Sequence, residues 1–183
     1  MKKQLLHSGW QLTTVGKTDT IPATVPGSVY NDLLNAGRME DPYWRDNEMK
    51  ALALMDEDYR YNTTFDVNAD VLNSERVLLR CEGLDTIADI VLNGEKIASV
   101  CNMHRTWEFD VKDNLKTIGN TLEIVFHSPT KYIKEQDKIC HAGGSDDAMV
   151  GFPNLRKAHC MFGWTGVPAC LMPAFGATLC FAA

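Results

Sequence analysis

Thr86-Ile-Ala-Asp-Ile-Val-Leu-Asn-Gly-Glu-Lys-Ile-Ala-Ser-Val100 is the stretch whose reading decides the fold. Its two halves, Thr86 to Leu92 and Lys96 to Val100, flank Asn93-Gly94. That dipeptide tolerates the positive φ values of a type I′ turn, so the stretch reads as a β-hairpin. Working outward, Tyr59, Tyr61, Thr63, Phe65 and Val67 alternate with polar neighbours, the period-two pattern of a half-buried strand, and Val77, Leu79 and Cys81 repeat it. Trp107 to Val111 and Thr121 to Phe126 add two strands joined through Gly119-Asn120. Many short strands separated by turn signals predict an all-β sandwich. Nearer the N-terminus, Ser28 is placed to cap a short helix over roughly 29–36 with Gly37 past its end, and Glu48 to Met55 suits one or two further helical turns. Residues 127–158, with Gly143-Gly-Ser-Asp-Asp147 among them, read as a long excursion loop of the kind that is functional or mobile.

A chain of 183 residues and 20.4 kDa holds one domain with a real core and leaves no room for a separate catalytic barrel. Apolar residues at 45% and charged residues at 23% fit neither a disordered nor a fibrous chain. The net charge of -6 offers no basic footprint, which sets aside nucleic acid and anionic membranes as partners. Met1-Lys2-Lys3 is followed only by Leu5-Leu6 before His7 to Trp10 interrupt the apolar run, so no secretory signal is visible and a cytoplasmic location is expected. The six cysteines then read as reduced thiols, and the sequon Asn62-Thr63-Thr64 as chance. One composition shift stands out: residues 165–183 hold no Asp, Glu, Lys or Arg, so all 18 basic and 24 acidic residues lie before them.

Few residues suggest chemistry. Cys140-His141 and His159-Cys160 could supply zinc ligands, but adjacent residues of a strand face opposite ways, and neither a metal nor a cofactor is expected. Asp56-Glu57-Asp58 and Asp146-Asp147 suit solvated turns better than acid–base work, and a Cys160–His127 nucleophile–base pair has no local motif behind it. The aromatics say more: Tyr43, Trp44, Trp107 and Trp164 are candidates for stacking on a sugar or lining a pocket. Alternation assigns Trp107 to the core, while Trp164, in Phe162-Gly-Trp164 beyond the long loop, stands between a core role and a site role.

Val25-Pro-Gly-Ser-Val29, Asp41-Pro-Tyr-Trp-Arg-Asp-Asn47, Glu82-Gly-Leu-Asp-Thr-Ile-Ala88, Leu92-Asn-Gly94, Phe109-Asp-Val111, Asn120-Thr-Leu122, Ser128-Pro129 and Arg156-Lys-Ala158 with Phe162-Gly-Trp164 occur in a telling order. The chain resembles, from about Trp10 to Trp164, the N-terminal domain of the β-mannosidases of glycoside hydrolase family 2. The resemblance implies a jelly-roll β-sandwich similar to galactose-binding modules over residues 1–164, set in the intact parent ahead of immunoglobulin-like domains and a catalytic (β/α)8 barrel. It implies hydrolysis of terminal β-mannosides with retention, by two carboxyl groups that the barrel supplies. This chain alone is then not an enzyme but an accessory, sugar-binding-like module, with β-mannoside or another glycan as the parent's ligand. Trp164, Arg156 and Lys157 are the implied substrate-side residues, the two cations either donating to sugar hydroxyls or pairing structurally. The competing class is a free-standing carbohydrate-binding module, resting on fold analogy alone; an independent small enzyme has only the clusters above.

The chain departs from its family after Gly163-Trp164, where Thr165-Gly-Val-Pro-Ala-Cys170 stands in place of Asp-Trp-Gly-Pro-Arg-Leu. One G inserted before the Thr165 codon permits Asp-Trp, and synonymous codons through Cys180 then permit Gly-Pro-Arg-Leu-Pro-Asp-Ala-Gly-Ile-Trp-Arg-Asp-Ile-Val. On this reading residues 165–183 are an out-of-frame tail. The family's closing strand is lost, the tail is loosely packed or pairs with another chain, and an unpaired strand edge invites self-association. Ala177-Thr-Leu-Cys-Phe181 is apolar enough to occupy part of the vacated slot, although its alternation is poor.

Overall fold

The computed structural model describes residues 2–141, 143, 151–162 and 173–182. In chain order the strands are β1 (Lys2–Leu5), β2 (Gln11–Thr14), β3 (Thr20–Pro22), β4 (Gly27–Ser28), β5 (Tyr59–Phe65), β6 (Arg76–Asp85), β7 (Ile87–Leu92), β8 (Glu95–Cys101), β9 (Thr106–Asp110), β10 (Asn120–Phe126) and β11 (Ala174–Ala182). The α-helices are α1 (Val29–Asn35), α2 (Asn47–Leu54), α3 (Ala69–Leu72) and α4 (Pro129–Ile139). Short 3₁₀ turns occupy Lys112–Asn114, Phe152–Asn154 and His159–Phe162. Two antiparallel sheets result, one ordered β1-β11-β6-β9 with β4 against β11, the other β3-β2-β5-β10-β7-β8. This is the all-β sandwich that the alternating pattern predicts.

Alternation fixes which side chains meet between the sheets. Tyr59, Tyr61 and Thr63 on β5, Val77, Leu79 and Cys81 on β6, Ala88, Ile90 and Leu92 on β7, and Leu122, Ile124 and Phe126 on β10 are all buried. The deciding hairpin has the expected turn, with Asn93 at φ 53° and Gly94 at φ 83°. Asn93 is chosen for its side chain as well: Oδ1 accepts from Thr121 N at 2.9 Å, and Nδ2 donates to Asn114 O at 2.6 Å and Asn120 Oδ1 at 3.0 Å. The turn is thereby tied to β10. Ser28 caps α1, its hydroxyl accepting from Asn31 N at 3.4 Å, and Gly37 follows the helix at φ 65°.

Two regions differ from the expectation. Residues 127–158 are not one long loop, since Pro129–Ile139 is a three-turn helix. Ser128 caps it, accepting from Lys131 N at 3.1 Å, and Pro129 starts it with a φ suited to the first helical position. Only Pro129, Thr130 and Ile133 of α4 are buried, so its apolar stripe is one side chain wide and the charged residues around it mask the helical period. The second difference is at the C-terminus. Ala174–Ala182, within the stretch expected to pack loosely, forms a central strand paired with β1 on one side and β6 on the other. Phe175, 4% exposed, supplies the reason: its ring lies 5.2 Å from Trp10, 5.0 Å from Tyr61 and 5.5 Å from Phe126, centroid to centroid. Main-chain pairing does not require alternation, and the uncharged run fills the slot between two strands that would otherwise each show an open edge.

Candidate functional site at the Asp85–Lys157 pair

The site is built where β6 passes into β7. Leu84, Asp85 and Thr86 are all buried there, a carboxylate between an apolar side chain and a hydroxyl. Asp85 Oδ2 accepts from Lys157 Nζ at 2.5 Å, and Asp85 Oδ1 accepts from the Thr86 hydroxyl. Both members of the ion pair are 1% exposed. Taking two charges out of water costs several kcal/mol per ion, which close mutual attraction and additional hydrogen bonds must offset.

Lys157 arrives from a segment that alternates across the sandwich end: Leu155 and Lys157 point inward and Arg156 points to solvent. The Arg156 backbone forms a parallel bridge with Asn102, and its carbonyl accepts from Met103 N at 3.1 Å. Ala158 N points to Met103 Sδ at 2.9 Å. Further along, Phe162 is buried against Phe152, which also meets the ring of His159 edge-on. Residues 151–162 therefore cross from α4, where Gly151 lies against Ile133 and Asp137, to the end of β8 and on to Asp85.

Of the substrate-side residues expected from the sequence, Arg156 and Lys157 fall at this place, one outward and one inward, and Trp164 lies outside the described residues. The other aromatics are dispersed. Trp107 is half-buried, donates through Nε1 to Asn102 O at 3.1 Å, stacks beside Phe109 and carries the Arg105 guanidinium 4.8 Å from its ring centre. Tyr43 and Trp44 are 66% and 63% exposed on the loop before α2.

The remaining candidates have partners. Asp56 accepts from Thr130 Oγ1 at 2.5 Å, which holds its carboxyl below the usual range against the opposing effect of burial. His127 lies between two carboxylates, Nδ1 3.2 Å from Asp58 and Nε2 3.1 Å from Asp89. Burial pushes the Asp89 carboxyl up, but hydrogen bonds from Ser99, Lys96 and His127 prevail and bring it down to about 2. Cys140 and Cys160 are exposed, and His141 pairs with Asp137 at 3.1 Å. Burial pushes the Cys81 thiol up to about 12, as suits a core residue. An open cavity of about 770 Å³ lies between α2 and α4, lined by Met49, Leu52 and Ile133 with Lys134 and Asp137 at its rim. No helix among the described residues is long and apolar enough to cross a membrane.

A two-sheet sandwich of this order, with residues 151–162 carried across from α4 to Asp85, defines the class: the profile described as glycosyl hydrolase 2 galactose-binding domain-like matches residues 10–174, and the chain belongs to that family. Within it, the chain is similar to an N-terminal domain of β-mannosidases. It is 30% identical over 182 residues to the β-mannosidase of Bos taurus, covering 90% of this chain and 20% of that protein. It is 34% identical over 170 residues to β-mannosidase A of Emericella nidulans, covering 87% of this chain and 18% of that protein. The crystal structure of the β-D-mannosidase from Dictyoglomus thermophilum shares the fold with a TM-score of 0.92 at 32% identity, over 99% of this chain and 23% of that one. An exo-chitosanase of Amycolatopsis orientalis shares the fold alone, with a TM-score of 0.69 at 17% identity over 100% of this chain and 21% of that one. The chain thus spans about a fifth of the length of the curated relatives it matches.

Sequence reasoning named Lys157 but not its partner. Asp85 stood inside Glu82-Gly-Leu-Asp-Thr-Ile-Ala88 without a role, and its motif holds no cation, so its partner had to come from elsewhere in the fold.

Proposed function

We propose that the chain is the accessory domain of a β-mannosidase-type glycoside hydrolase and helps shape the pocket for the terminal sugar, while the catalytic carboxyl pair resides in a separate (β/α)8 barrel. The observation that carries this reading is the coverage: nine tenths of the chain aligns with β-mannosidases of which it makes up about a fifth. A retaining glycosidase needs two carboxyl groups about 5–5.5 Å apart, one nucleophile and one acid/base. Asp85 at the candidate site is committed to Lys157, and Asp58 and Asp89, elsewhere on the sandwich, are committed to His127. In the intact parent Arg156 and Trp164 are the substrate-side residues, with Lys157 turned inward behind Arg156; the immunoglobulin-like and barrel domains complete the enzyme.

Residues 165–183 belong to this proposal as an out-of-frame tail. Its support is the absence of any charged residue after Trp164 together with the family-like readout that one inserted base permits. The nucleotide sequence around codons 164–166 tests it: codons that do not yield Asp-Trp-Gly-Pro-Arg in the shifted frame contradict the tail reading.

Calorimetric titration of the purified chain with mannose and mannobiose tests the accessory role. An open half-site without a barrel wall gives binding no tighter than millimolar, in the region of about -4 kcal/mol. Saturable micromolar binding overturns the reading in favour of a free-standing carbohydrate-binding module.

A further inference from the structure

The sequence leaves Lys157 two roles, donor to a sugar or structural partner, and the surroundings of its ammonium separate them. The Lys157 and Asp85 side chains are each 1% exposed, and they join segments 72 residues apart in sequence. Both ends of the pair are closed off from solvent, and the ammonium is held at its carboxylate. Its neighbour is placed oppositely. Arg156 is exposed, its backbone is held by the Asn102 bridge and by Met103 N, and its guanidinium makes no ion pair among the described residues.

We infer that the Asp85–Lys157 pair is a latch that fixes the 155–158 segment on the sandwich, so that Lys157 is a positioning residue and Arg156 is the group turned toward sugar hydroxyls. What Arg156 meets rests on the proposed function; the latch itself rests on geometry alone. The contrast within the dipeptide is the point. Strand-like alternation sends consecutive side chains to opposite faces, and the inward one is captured by a carboxylate from β6. Aromatic packing of Phe152 with Phe162 and His159 is internal to the 151–162 segment, whereas the Lys157 contact reaches across to the sheet. The ion pair therefore adds a side-chain tie to β6 beside the ties at Asn102 and Met103, and its release loosens the segment between the Asn102 bridge and Phe162.

The test uses the whole chain and no sugar. Nitrogen-15 NMR of the lysine ammonium groups detects those shielded from water exchange. The expected spectrum has a slowly exchanging Nζ signal that disappears in Lys157→Met and in Asp85→Asn. Limited trypsin digestion with mass-spectrometric readout supplies the positional arm. Cleavage after Arg156 should accelerate at least tenfold in both variants while cleavage after Arg60 on β5 keeps its rate. Should Asp85→Asn fail to fold, Lys157→Met decides, because methionine keeps most of the volume of the buried side chain. A native chain without a protected ammonium signal overturns the inference, as does unchanged cleavage after Arg156 in Lys157→Met. Failure of mannose binding bears on the proposed function and leaves these readouts where they are.

Discussion

Two ions buried to 1% exposure at the end of β6 make the energetics of this chain asymmetric. Removing one partner leaves the other uncompensated, which costs about 3–5 kcal/mol, whereas replacing both by apolar groups is often neutral or better. Asp85→Asn and Lys157→Met are each therefore expected to lower unfolding stability by about that amount in a urea titration. A second residue-scale prediction concerns acid. Asp89 has its carboxyl lowered from 3.8 to about 2, since hydrogen bonds from Ser99, Lys96 and His127 outweigh desolvation. A depressed carboxyl contributes stability that is present above its unfolded value and lost as pH falls through the folded one. The Asp89 contribution should accordingly fade between about pH 4 and pH 2, and Asp89→Asn should flatten the stability curve in that window, followed by denaturant midpoints across pH. At this scale the sequence was half legible. Arg156 and Lys157 were marked by their motif, but alternation had to be seen in three dimensions before one was assigned outward and the other inward. Asp85 had no local signal for its partner, which arrives 72 residues later.

At the scale of elements, local chemistry predicted well wherever a turn or cap carried its own instruction. Asn93-Gly94 set the β7–β8 hairpin, and Ser28 with Gly37 bounded α1. The elements that escaped are those whose stability comes from elsewhere. Helix α4 buries one narrow stripe, yet its N-terminus is pinned: Ser128 Oγ donates to Met55 O at 2.6 Å while accepting from Lys131 N, and Ser128 N donates to Asp58 Oδ1 at 2.8 Å. Ser128→Ala should lower stability by about 1 kcal/mol from the cap, and somewhat more because Met55 O loses a donor, measured by thermal unfolding. Strand β11 is the other case. Its run lacks alternation, and its position between β1 and β6 is set by main-chain pairing and by Phe175 against Trp10, Tyr61 and Phe126. Phe175→Ala should cost about 3–5 kcal/mol, the range for deleting a buried aromatic ring. A loss below 1 kcal/mol would return the C-terminal segment to the loosely packed state expected from its composition.

For the whole molecule, the sandwich and the family were both legible, because period-two patterning and ordered motifs spread over most of the chain; the profile match over residues 10–174 agrees. The division of labour was not legible from patterning, since a sandwich of this kind carries no chemistry in its fold. The proposed division rests instead on the share of the relatives that the chain represents, about a fifth, and on carboxylates that are paired within the chain. The central claim, that this domain supports a sugar site without performing hydrolysis, is tested most directly by assaying the purified chain with a chromogenic β-mannoside. The account predicts no release of the chromophore above the uncatalysed background at any pH. Turnover that co-purifies with the chain and is abolished by changing one of its own carboxylates would contradict it.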